Sequence, residues 1–261
     1  MQESHSQAPR FSQLTGPGRP PADCRLCLVR GLSLFRPFEG EALARLNRLR
    51  VGTRAVSAGM PICAPGFDDG HVYTVFRGWA FSYRIRDDGR RQILDFHLAG
   101  DLLGSERLAT ASPDVGLEAL TPVLLCAFRR DALLAAADDL PAFGSALSWM
   151  TSREGAVLSE RLVTLGRRRA SERVAHMILE LWTRQRWREP DADGVCAFPP
   201  TQRHLADALG LTPEHVNRAI AELREAGLVT LASRRLGVPA PQRLADFADW
   251  TNTYLDPRPL F

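Results

Sequence analysis

Apolar residues recur along the chain with two distinct periods, and each period predicts a different kind of element. Between Phe38 and Leu49 the residues Leu43, Leu46 and Leu49 share one helical face, which predicts a short helix. From about Arg54 to Arg130 the pattern changes to short runs of β-type residues: Val72-Tyr73-Thr74-Val75-Phe76, Ala80-Phe81-Ser82-Tyr83-Arg84-Ile85 and Gln92-Ile93-Leu94-Asp95-Phe96. Gly59, Gly66, Gly70, Gly78, Asp88-Gly89 and Gly100 punctuate them, and many short strands with regular turn signals predict a barrel or jelly roll. Asp88-Gly89 is the strongest hairpin turn, because glycine takes positive φ without steric penalty. Beyond Arg130 the period lengthens again. Pro141 opens a long helix in which Leu147, Met150, Glu154, Val157, Leu158, Arg161 and Leu165 form one stripe approximating a 3-4 repeat. Such a helix can pack on its own barrel or meet a second copy. Lying between two domains, it is read as a dimer seam carried by Leu147, Met150, Val157, Leu158 and Leu165. A further helix, Ser171 to Trp182, buries Val174, Ile178 and Leu181.

The densest set of local signals runs from Pro200 to Leu228. Thr201 can cap a helix whose Leu205 and Leu209 face inward, and Gly210 permits a sharp turn after it. Thr212 is a second cap, with Pro213 at the first helical position, where its missing N–H costs nothing. Val216, Ile220 and Leu223 form the buried face and Gly227 ends the helix. Two short helices joined by a tight glycine turn make a helix-turn-helix, whose second helix enters a DNA major groove. Glu214, His215, Asn217 and Arg218 face outward, offering an acceptor for cytosine, an amide for adenine and a guanidinium for guanine or phosphate. Leu228–Leu231 and Leu236–Val238 flank Ala232-Ser233-Arg234-Arg235, the pattern of a β-wing with Arg234 and Arg235 placed to touch phosphates. Thr201, Gln202 and Thr212, at the helix starts, complete the expected DNA-contacting set. A helical hairpin with a merely solvated outer face is the bland alternative. Two consecutive caps, a glycine turn and a wing in this order argue against it.

Composition adds little to this picture but narrows it. The 261 residues suit two modest domains, with 45% hydrophobic and 24% charged residues excluding a disordered or fibrous chain. No apolar run approaches the ~20 residues of a membrane span, and no basic-then-apolar leader is visible. A cytoplasmic protein with no membrane partner is expected. All 33 basic residues are arginine. Positions 51–166 carry 11 basic and 14 acidic residues, and 167–243 carry 13 and 9, which fits a sensor joined to an anion-binding module. Five cysteines, an odd and scattered number, argue against a disulfide framework and leave reduced thiols or metal ligands.

With these elements in place the chain resembles the Crp/Fnr transcription regulators from about Asp23 to Leu244. Phe96-His97-Leu98-Ala99-Gly100-Asp101-Leu102-Leu103-Gly104 is similar to that family's glycine-acid signature, and Glu214-His215-Val216-Asn217-Arg218 to the Glu-x-x-Ser-Arg core of its Fnr-type recognition helix. The resemblance implies an α+β chain: a cyclic-nucleotide-binding-type β-barrel, a long dimerisation helix and a winged helix-turn-helix. The boundaries expected are a flexible arm (1–23), barrel (24–137), dimerisation helix (138–169), DNA-binding domain (170–245) and C-terminal tail (246–261). It further implies a homodimer on a near-palindromic site of double-stranded DNA, in contact with RNA polymerase. Asn217 stands where the family has Ser, which leaves the half-site open.

The signal is less legible. The family's cyclic-nucleotide binders carry an Arg-Ser pair after the glycine-acid signature. This chain reads Glu106-Arg107-Leu108-Ala109-Thr110-Ala111-Ser112-Pro113-Asp114 instead, which argues against a cyclic nucleotide. Cys24, Cys27 and Cys126 resemble three of the four iron–sulfur ligands of the oxygen-responsive Fnr branch. At the two spacings used for the remaining ligand stand Ser33, a poor ligand, and Phe35, which cannot ligate. A three-thiolate cluster, recruitment of Cys63, thiol-based redox sensing or ligand-free regulation all stay open. An exposed Cys-x-x-Cys flanked by Arg25 and Arg30 would have lowered thiol pKa values. Cys63 reads as a core residue.

Catalysis is not expected. Cupin-type metal chemistry needs a His-x-His pair with further ligands, and the barrel region has only His71 and His97, the latter read as a satisfied structural histidine. No phosphate loop or Gly-x-Ser-x-Gly elbow is present. A protein-interaction adaptor using the winged unit for docking is the remaining alternative.

Overall fold

The computed structural model describes residues 20–108, 114–189 and 194–255. Most of the expected arm therefore lies outside the described residues. The short helix α1 (Gly40–Arg48) leads into eight strands: β1 (Arg50–Val56), β2 (Pro61–Cys63), β3 (His71–Arg77), β4 (Ala80–Ile85), β5 (Arg91–His97), β6 (Leu102–Leu103), β7 (Gly116–Ala119) and β8 (Val123–Arg129). They form two antiparallel sheets, β1-β8-β3-β6 and β2-β7-β4-β5. Alternate residues turn inward, so Ile62, Val75, Leu103, Leu117 and Leu125 fill the space between the sheets. The β4–β5 hairpin turns at Asp88-Gly89, with Gly89 at φ +77° as its sequence predicts.

Helices α2 (Arg130–Asp139) and α3 (Pro141–Arg167) follow. The face α3 turns to the barrel differs from the expected seam. Phe143, Ala146 and Met150 pack into the core beneath the barrel, Leu147 leans on it, and Val157 is buried on the same side. Met150 and Val157 thus serve the chain's own interior, a correction to their reading as seam residues. The uncovered apolar face carries Leu158 (50% exposed), Leu162 (72%) and Val163 (49%), and Leu165 is only partly covered. A loose 3-4 repeat fits two adjacent faces of one helix, so spacing alone could not choose between them.

The C-terminal unit comprises α4 (Ala170–Arg186), β9 (Val195–Ala197), α5 (Gln202–Leu209), α6 (Pro213–Glu225), β10 (Thr230–Ala232), β11 (Arg235–Gly237) and α7 (Pro241–Ala248). Val174, Ile178, Leu181, Leu205, Leu209, Val216, Ile220, Leu223 and Leu244 share one core. The expected boundary at residue 245 falls inside α7, and the described part of the expected tail, residues 246–255, packs back on the unit. Leu255 is fully buried, and the Tyr254 hydroxyl donates to Glu180 at 3.2 Å.

The two units share apolar core, since Phe81, Phe96 and Leu98 of the barrel belong to one buried cluster with Met177, Leu181 and Leu205, and polar and charged contacts flank it. On one side α5 lies along β5: Arg91 pairs with Asp207 at 3.0 Å, Gln92 donates to the Ala208 carbonyl at 3.0 Å, and the His204 ring sits 5.6 Å from that of Phe81. On the other, Arg184 reaches Asp101 (2.9 Å) and Asp95 (3.1 Å), Arg188 reaches Asp101 (2.8 Å), and Arg161 from α3 bridges Asp95 (2.8 Å) and Glu180 (2.9 Å). Charges this deeply buried persist only when paired and hydrogen-bonded.

Candidate nucleic-acid interface

Both caps form as the sequence requires. Thr201 Oγ1 accepts from the His204 backbone N–H and Thr212 Oγ1 from that of His215, each at 3.3 Å. Between them Gly210 adopts φ +62°, a left-handed turn costly for any residue with a Cβ. Pro213 starts α6, whose Val216, Ile220 and Leu223 are buried. Glu214, His215, Asn217, Arg218 and Ala221 are exposed together on its other side. Gln202, at the start of α5, donates from Nε2 to Asn217 Oδ1 at 3.0 Å. Hydrogen bonding to the Thr212 side chain holds the Glu214 carboxyl below its ordinary pKa, so it is an acceptor at neutral pH. The exposed Arg203 stands beside Gln202, a cation that the sequence reading left out although it occupies the same outward turn.

The wing is a three-stranded sheet in the order β10-β11-β9. Its third strand, Val195–Ala197, was not expected. The β10–β11 turn is formed by Ser233 and Arg234, both at positive φ (49° and 58°), the geometry of a two-residue hairpin. Arg234 is exposed at the tip, whereas Arg235 bends back to donate to the Val195 carbonyl at 3.1 Å.

The expected sensor residues are partly brought together. Cys24 and Cys27, at either end of a short 3-10 turn, lean on the core that contains Cys126, and Cys126 lies mid-strand in β8 with the Arg50 guanidinium beside it. Neither Cys-x-x-Cys thiol is fully exposed, and burial pushes Cys24 above its ordinary pKa, the reverse of the sequence expectation. Arg25 is instead tied to Asp23. Burial likewise raises the Cys126 thiol to about 11. Phe35 is buried, stacked on Phe143 and tilted against Phe128, while Ser33 Oγ donates to the Arg30 carbonyl. No group of three or more metal-ligating side chains is close enough to hold an ion among the described residues. A four-ligand iron–sulfur cluster does not fit this donor set. Cys63 is buried in β2.

Two further barrel residues bear on ligands. Arg107 is fully buried and donates to the carbonyls of Phe67 (2.7 Å) and Val115 (3.0 Å), so it is engaged by its own backbone. His97 Nε2 is buried without a hydrogen-bond partner, which corrects its reading as a satisfied structural histidine. Asp114 is exposed and paired with Arg84.

Comparison with known proteins agrees with this architecture. Residues 53–139 match the cyclic nucleotide-binding domain and residues 172–247 the Crp-like helix-turn-helix domain. The chain is 30% identical over 215 residues to the transcriptional activator protein FnrL of Cereibacter sphaeroides, covering 81% of this chain and 86% of that one. It is 32% identical over 187 residues to the nitrogen fixation regulation protein FixK of Rhizobium meliloti, covering 71% and 82%. The solved structure of FixK2 from Bradyrhizobium japonicum superposes with a TM-score of 0.68 at 30% identity, over 75% of this chain and 96% of that one. No helix among the described residues is long and apolar enough to cross a membrane. A sensor-type β-barrel, a long connecting helix and a winged helix-turn-helix in this order, with that degree of similarity, place the chain in the Crp/Fnr family of DNA-binding transcription regulators.

Proposed function

We propose that the protein acts as a cytoplasmic homodimer that reads a near-palindromic DNA site through the N-terminal half of α6 and contacts RNA polymerase from there. The single observation that carries this reading is the joint exposure of Glu214, His215, Asn217 and Arg218 over a fully apolar inner face. Thr201, Gln202, Thr212 and Arg234 supply contacts to the sugar–phosphate backbone, with Arg235 steadying the wing. The uncovered apolar stripe of Leu158, Leu162 and Val163 supports pairing of two copies along α3. Two-fold symmetry in the protein then requires two-fold symmetry in the site.

The domains divide, on this proposal, at the α2–α3 and α3–α4 junctions. The name of the relative FixK suggests nitrogen-fixation genes as targets. The neighbouring Cys24, Cys27 and Cys126 are one donor short of a four-ligand cluster, so any redox response would fall to these thiols themselves. Arg107, committed to backbone carbonyls, disfavours a cyclic nucleotide.

Selection of duplexes from a random pool tests the proposal: an enriched inverted repeat, bound with steep salt dependence, is expected. Absence of any enriched sequence would leave the adaptor alternative. Iron and sulfide analysis of anaerobically purified protein is expected to find no stoichiometric cluster.

A further inference from the structure

The backbone is anchored at two exposed positions that face each other across the helix-turn-helix. At the start of α5 the Thr201 N–H donates to His204 Nδ1 at 3.2 Å and Thr201 Oγ1 accepts from the His204 N–H, which fixes the turn from which Gln202 leaves. On α6, Asn217 follows Val216, whose side chain is fully buried in the core of the unit. Between these positions Gln202 Nε2 donates to Asn217 Oδ1 at 3.0 Å, the one side-chain bond from α5 to the outward face of α6 among the described residues.

A primary amide carries one acceptor and two donors. The bond from Gln202 engages the acceptor, and among the described residues no protein group takes a hydrogen from the Asn217 NH2. Glu214, three residues earlier on the same exposed face, has its carboxyl bonded to the Thr212 side chain instead. This pairing changes what Asn217 can recognise. A free asparagine reads adenine through two bonds at once, accepting from N6 and donating to N7. With Gln202 on its carbonyl the accepting half of that pair is contested, whereas both N–H groups remain for DNA. Guanine meets such a donor with O6 and N7 and thymine with O4, while adenine N6 and cytosine N4 set hydrogens against hydrogens.

We propose that Gln202 is a positioning residue that sets the base preference of Asn217, making it a donor that selects guanine or thymine over adenine or cytosine on the strand it faces. The inference rests on the reading of α6 as the DNA-contacting helix and deepens it, because part of the specificity then belongs to α5. The preference can be inverted by design. Asn217→Asp leaves only acceptors at the position. Gln202→Glu puts an acceptor where Nε2 stood, so the Asn217 amide turns over to donate to it and shows Oδ1 to the DNA. A glutamate also suits the first turn of α5, where the helix dipole favours negative charge.

Competitive anisotropy with the full chain provides the test, using the inverted repeat enriched from a random pool and all four base pairs placed in turn at each position of both half-sites. In Asn217→Ala one position per half-site is expected to lose its preference, which identifies the base pair read. At that pair the parent's order of preference is expected to reverse in both Asn217→Asp and Gln202→Glu, with relative affinities changing by at least about fivefold. The negative charge that each variant adds weakens binding to every duplex alike and cancels from these ratios, and low salt keeps the affinities measurable. A parent order matching that of Asn217→Asp would mean that the amide presents its carbonyl, and the proposal would fall. It would also fall if Gln202→Glu left the order unchanged, or if Asn217→Ala flattened no position. Those three results leave α6 standing as the reading helix, whereas the lack of any enriched repeat overturns that reading and this proposal together.

Discussion

Gln202 Nε2 donates to Asn217 Oδ1 at 3.0 Å, so the first helix of the helix-turn-helix fixes the amide orientation of a residue on the second. The carbonyl of Asn217 is thereby engaged and its NH2 is turned outward as a donor. Preorganisation of this kind lowers the entropy lost when a side chain is ordered at a base edge.

Arg218→Ala is expected to weaken binding to the selected site by about 1–3 kcal/mol and to relax specificity at one base position. Binding to random duplex should change much less. Gln202→Ala should act in the same direction but more weakly, because it frees the Asn217 amide without removing it. Competitive gel-shift or anisotropy titrations against specific and random duplex check both, and equal losses on the two duplexes would show that Arg218 does not read bases.

Arg234→Ala should behave differently. Its guanidinium stands at an exposed wing tip, suited to a phosphate and to no base, so affinity for all sequences should fall alike. The slope of log K against log salt should shrink by about one phosphate contact.

Glu180→Gln removes the carboxylate shared by Arg161 and Arg184 at 2.9 and 3.3 Å. Breaking one side of a buried ion network costs roughly 3–5 kcal/mol, so a clearly lowered urea midpoint is expected. A midpoint unchanged from the parent would mean that the network contributes nothing to domain docking.

His204, packed against Phe81 at the α5–barrel contact, is pushed by burial down to about 4 from an ordinary value near 6.5. The unfolded chain therefore binds the extra proton first. Its stabilising contribution is fully present above pH 6.5 and is lost as pH falls toward 4. His204→Gln can keep the reciprocal cap with Thr201 while removing the titration. The variant is expected to show a flatter Tm-against-pH curve across this window.

Leu158→Glu combined with Leu162→Glu places two charges on the uncovered face of α3 without touching the barrel core. Light scattering should then report a monomer with weakened affinity for the full repeat, while Met150→Leu, on the inward face, leaves the dimer intact.

The parts legible in the sequence are those fixed by local rules. Thr201, Gly210, Thr212 and Pro213 announce their caps and turn because each acts on a backbone group within a few residues. Asp88-Gly89 does the same for its hairpin. The buried network was not legible: Arg161 read as part of the stripe along α3, and Arg184 and Arg188 gave no signal until Asp95 and Asp101 are brought to them by the barrel. Arg25 and Arg30 suggested an acidified Cys-x-x-Cys. The opposite holds for Cys24 because burial outweighs the arginines near it. Strand β9 and the ordered residues after α7 escaped notice for a related reason: three-residue segments carry too little periodicity, and their partners are distant in the chain.

The way the chain ends has a mechanical consequence. Arg168, at the joint between α3 and α4, donates to the carbonyls of Ala248 (2.9 Å), the last residue of α7, and Asp249 (2.6 Å), its C-cap. The elbow on which the reading head would swing is thus stapled by residues some eighty positions downstream. Any rotation of that head must carry the C-terminal strap along with it or tear these two bonds first.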